Sequence, residues 1–173
     1  MPLALPLAEL LLRATAWISL VAWAASEWAR TRASNPRGDA SGRAAFTLGW
    51  LALASHSALA FELRHGWSHA AALRDTARQT EALFGRSFGV GLFVNYFFLA
   101  LWTLEAAWWW LAAARYRFRD RRLDWSVRAF FLFMFLNGAV VFARGPLRAL
   151  GAAAVLLVAW SWYRRAGAES KGA

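Results

Sequence analysis

The chain has no cysteine, four prolines and a single lysine among 173 residues. Without cysteine there are no disulfides, no thiolate metal sites, no Cys-held iron–sulfur cluster and no covalent c-type haem. Proline is confined to Pro2, Pro6, Pro36 and Pro146, so long apolar stretches run without a helix breaker. Several motifs are absent as well: there is no P-loop, dinucleotide fingerprint, nucleophile elbow or HExxH zinc sequence. Nor are there two matching halves with interrupted helices of the kind many transporters carry.

What is present is apolar and basic. Sixty per cent of residues are hydrophobic, with 12 Trp and 13 Phe, and the net charge is +10. One small water-soluble core would not hide that much apolar surface, whereas lipid tails accept it directly. The apolar residues fall in blocks near the ~20-residue length of a spanning helix. These are Leu3 to Trp28 (interrupted by Glu9 and Arg13), Ala44 to Glu62, Val90 to Ala114, Ser126 to Ala143, and Leu147 to Tyr163. None shows the period-two alternation of a barrel strand. The expected fold is therefore all-α: one polytopic transmembrane domain over 1–173, of about five helices, with the lipid bilayer as its first partner.

The arginines set an expected topology. Thirteen positive charges, from Arg30 to Arg43, Arg115 to Arg128, and the tail at Arg164, Arg165 and Lys171, fall on one side of a five-span chain. Six, at Arg64, Arg74, Arg78, Arg86, Arg144 and Arg148, fall on the other. The positive-inside rule then places the N-terminus outside and the C-terminus in the cytoplasm, as in a bacterial inner (cell) membrane. Trp108, Trp109, Trp110 and Tyr116 are expected at the cytoplasmic interface as an aromatic belt. Nucleic acid is not an expected partner, because the basic residues punctuate apolar blocks and do not form a soluble basic face. Glu9 and Arg13 stand i, i+4 with the acid first, a spacing that pairs them near the bilayer surface.

Between the spans, residues 30–43 form a polar stretch with Pro36, Gly38 and Gly42, which predicts a flexible cytoplasmic loop. Residues 64–87 predict an external amphipathic helix from Trp67 to Phe84, with Gly66 at its start and Gly85 as its C-cap.

Two sets of residues are candidates for chemistry. Glu62, His65 and His69 would share a face within about 60° if the helix continued through Gly66, and two imidazoles with a carboxylate suit a metal ion. The plainer reading is three polar residues at the water interface. The second set is His56, Asn95, Glu105, Asn137 and Arg144, polar groups in or at the ends of apolar spans. They would line a polar pocket if the helices turn them together, and His56 would ligate haem b if another His faced it. The alternative for this set is ordinary hydrogen bonding between helices.

In span number, length and tryptophan content the chain resembles the tryptophan-rich sensory membrane proteins. That family's proline- and tryptophan-rich loop signature is missing here, so no ligand or residue role is carried over. Three function classes follow: a non-enzymatic accessory or structural subunit of a membrane complex, joined to a membrane-protein partner or to copies of itself; a binding or redox protein with a metal, haem or small ligand near the outer face; and a small membrane enzyme or transporter.

Overall fold

A computed structural model describes the backbone of residues 4–32, 36–143 and 145–171, and the side chains of 7–31, 40–143, 145–146 and 148–164. Among the described residues the chain is all-helical, without a strand. The order is α1 (Ala4–Arg32), α2 (Pro36–Ala60), a π-helical turn (Phe61–His65), α3 (His69–Phe84), α4 (Gly91–Leu111), α5 (Ala113–Arg117), α6 (Arg121–Leu136), a second π-helical turn (Asn137–Val141) and α7 (Pro146–Lys171).

Four segments among the described residues are long and apolar enough to cross a membrane: Leu7–Thr31, Ala40–His65, Gly91–Leu111 and Arg121–Val141. They make the protein an all-α bundle suited to a membrane. α7 stands where a fifth span was expected. Large apolar side chains such as Leu10, Val21, Leu51, Phe97, Leu104, Leu156 and Trp160 are exposed on these helices, as lipid-facing residues would be.

Local chemistry sets the boundaries. The expected fourth span begins five residues early, because the Asp120 carboxylate accepts from the backbone N–H groups of Arg122 and Leu123 and caps the helix there. The expected loop at 30–43 is a correction. α1 continues to Arg32 and α2 starts at Pro36, a residue whose fixed φ suits a first helical turn. Residues 33–35 lie outside the described residues.

α3 ends where Gly85 adopts φ 66 and returns its N–H to the Glu81 carbonyl. Its start is set by Ser68, whose hydroxyl accepts from the Ala71 N–H.

The chain divides into two compact units, each assembled from separate stretches. The first takes residues up to Ser19 together with Trp50–Glu105, and the second takes Leu20–Gly49 with residues from Ala106 on. In the first unit α3 lies close to the start of α4, with Leu73 and Thr76 against Gly89 and Gly91. In the second unit the core is aromatic. Trp23 stacks on Phe135 at 4.7 Å between ring centroids and meets Trp162 edge-on at 6.3 Å, while Phe46 stacks on Phe131 at 5.8 Å.

Candidate functional site

The first unit contains all three histidines. α2 gives way to the π-helical turn, then Gly66 and Trp67 both take left-handed backbone conformations, at φ 52 and φ 58. The helix therefore stops between His65 and His69, and the i, i+4 relation that put Glu62, His65 and His69 on one face is lost. Each has its own surroundings. The Trp67 indole donates to Glu62, His65 meets the Phe61 ring edge-on at 5.7 Å, and His69 Nδ1 lies 3.0 Å from the Tyr96 hydroxyl. Among the described residues no group of three His, Asp or Glu side chains is placed to hold a metal ion. A left-handed conformation at a residue as large as Trp67 costs on the order of 1–3 kcal/mol. Its indole bond to Glu62, its own N–H donated to the Phe61 carbonyl and the Ser68 N–H donated to the His65 carbonyl hold the turn closed.

His56 is half-buried in the same unit. Its Nδ1 is 3.0 Å from the Leu12 carbonyl and 3.3 Å from the Thr15 hydroxyl, which links α2 to α1. A carbonyl only accepts, so the proton sits on Nδ1. Asn95 is exposed on α4 and Glu105 is buried near the middle of α4, 4 % exposed. Asn137 belongs to the second unit and donates back to the Phe133 carbonyl of its own helix at 2.8 Å. Arg144 lies outside the described residues. The four described residues of this set are thus distributed over both units, and the two whose bonds are defined, His56 and Asn137, each bond a main-chain carbonyl.

Among the described residues the densest polar arrangement lies in the second unit, on residues outside both candidate sets. Glu27, 1 % exposed in the last turns of α1, accepts from Arg30 at 3.1 Å and from the Trp162 indole at 2.9 Å, and Arg128 stands 3.3 Å from its second oxygen. Asp124 on α6 accepts from Arg30 at 3.0 Å and from Arg119 at 2.9 Å, with Arg128 3.2 Å away.

Aromatic rings enclose the cations. The Arg30 guanidinium carbon is 5.2 Å from the Trp109 ring and 5.5 Å from Tyr116; Arg119 is 4.4 Å from Tyr116; Arg128 is 5.8 Å from both Trp125 and Trp162. Such stacking suits guanidinium, which is planar and weakly hydrated.

This cluster ties α1, α6, α7 and the connection between α5 and α6 together. Both carboxylates are surrounded by donors from the chain itself, an arrangement that fixes helices. A signal for it was available: Asp124 and Arg128 are i, i+4 with the acid first, and Glu27 and Arg30 are i, i+3. The spacing that identified Glu9 with Arg13 applies equally to them.

No family model, curated protein or solved structure matches this chain.

Proposed function

We propose that the chain is a non-catalytic accessory or structural subunit of a membrane complex. It crosses the bilayer several times, with its N-terminus outside and its C-terminus in the cytoplasm of a bacterial inner membrane. The observation that carries the reading is the closed ionic cluster of Glu27 and Asp124 with Arg30, Arg119 and Arg128. Among the described residues the most heavily charged region of the interior is engaged in joining helices, as a scaffold requires. The orientation rests on the asymmetry of arginine between alternate connections.

Two measurements test it. Extraction from native membranes in mild detergent is expected to yield an assembly containing a second integral membrane polypeptide at fixed stoichiometry. Isolation as a lone polypeptide with bound haem or metal would count against the subunit reading. For orientation, the natural absence of cysteine makes single-cysteine labelling direct. Arg78→Cys is expected to react with an impermeant maleimide in intact cells and Arg121→Cys only after lysis, and the reverse pattern would invert the topology.

A second reading, a binding protein for a small apolar ligand, is favoured by one feature of the first unit. Exposed His69 stacks on Tyr96 at 5.8 Å, and Phe61 and Phe93 lie beside the same ring at 6.2 Å each. Apolar walls with a few polar tips suit such ligands. Saturable binding lost in Tyr96→Ala would support it, and binding unchanged by that substitution would remove it.

A further inference from the structure

We infer that Arg43 and Trp110 form a binding site for the phosphate of an anionic phospholipid headgroup. Arg30, Arg119 and Arg128 of the second unit are matched to Glu27 or Asp124. Arg43 is different. Its Nε is buried with no hydrogen-bond acceptor, and no carboxylate among the described residues pairs with it. Among the described residues the defined contact of its guanidinium is the Trp110 ring, 4.1 Å from the guanidinium carbon.

The Trp110 ring is held ready. Its indole N–H donates to the Thr47 hydroxyl at 2.9 Å, and Thr47 in turn donates to the Arg43 carbonyl at 2.9 Å. That relay fixes the ring face on which the guanidinium rests, so the cation is oriented before any ligand arrives.

The position also fits. Arg43 is the fourth residue of the segment Ala40–His65, and Trp110 is the last but one of Gly91–Leu111, so both belong to the ends of spanning segments. A guanidinium there, without a counter-charge among the described residues, meets lipid phosphates at the level of the headgroups. Its planar fork matches two phosphate oxygens, and Trp is at home at that depth. Leu48 and Leu111, on the same two helices, are 53 % and 86 % exposed and offer apolar surface to the acyl chains.

The test is native mass spectrometry of the full chain released from detergent micelles and titrated with phosphatidylglycerol, with phosphatidylcholine and inorganic phosphate as separate arms. One phosphatidylglycerol per chain is expected to bind about tenfold more tightly than phosphatidylcholine, whose phosphate offers the same two oxygens but whose choline cation is repelled by Arg43. Arg43→Gln is expected to abolish that preference. Arg43→Lys, which keeps the charge and lacks the fork, is expected to weaken it several-fold and serves if the glutamine variant does not fold. Folded variants that retain phosphatidylglycerol like the parent would overturn the site. Displacement of the lipid by equimolar inorganic phosphate would overturn the lipid assignment in favour of a free anion.

Discussion

The two units handle charge in opposite ways. In the first, ion pairs are exposed. Glu9 pairs with Arg13 and with Arg64, and Asp75 with Arg78, with 41 to 74 % of the side-chain surface of each residue but Asp75 open. In the second, Glu27 is 1 % exposed, Arg119 2 % and Arg128 9 %. An exposed pair keeps its hydration and gains little from its partner. A buried pair has given up hydration, so removing one member strands the other at high cost. The same residue types are thus expected to play different roles: the second unit should depend on its charges for integrity, and the first should tolerate their loss.

The sharpest way to break this contrast is Glu27→Ala. It takes away the acceptor of Trp162 and a counter-charge of both Arg30 and Arg128. The expected destabilisation is about 3–5 kcal/mol. Denaturant unfolding in detergent, followed by tryptophan fluorescence, would measure it; a loss under ~1 kcal/mol would mean that the cluster is not structural.

Next in size is a steric effect in the same unit. A Cβ on Gly151 would lie 2.3 Å from the Ala139 carbonyl oxygen, a backbone atom that cannot turn aside. Gly151→Ala should therefore force α7 from the π-helical turn and cost about 1–3 kcal/mol. Unchanged thermal stability would contradict the close approach.

Much of the fold was legible in advance because a bilayer imposes long apolar helices, and length with composition is what a sequence displays most directly. The amphipathic α3 and its Gly85 cap were legible for a related reason: both are local. The site was less so. Whether a helix continues through Gly66 depends on how Trp67 and Glu62 pair, and no periodicity records that. Pro36 and the glycines after it resemble a loop over 30–43, but proline at a first helical turn starts a helix, and α2 begins at Pro36. The Glu27–Asp124 cluster joins residues nearly 100 positions apart, and only its short-range halves leave a trace in spacing.

Smaller effects belong to the first unit. His56→Leu removes a link from α2 to the Leu12 carbonyl and Thr15. Bonds of this kind within membranes average about 0.6 kcal/mol, so the helices should stay assembled with a slightly lower unfolding midpoint. A loss several times larger would instead mark His56 as part of a polar network.

The smallest effect is expected at Glu9. Glu9→Gln disconnects Arg13, 2.9 Å away, and Arg64, which reaches Glu9 from beyond α2. Arg13 and Arg64 are 61 % and 47 % exposed and recover water when released, so the loss should be about 0.5 kcal/mol. Screening makes the comparison decisive. Raising salt to 1 M shortens the screening length to about 3 Å and should erase the Glu9→Gln difference. The Glu27→Ala difference should persist at that salt, because ions have little access to a carboxylate enclosed by Trp162 and three helices. If both differences shrank together, the two units would not differ in how deeply their charges are buried.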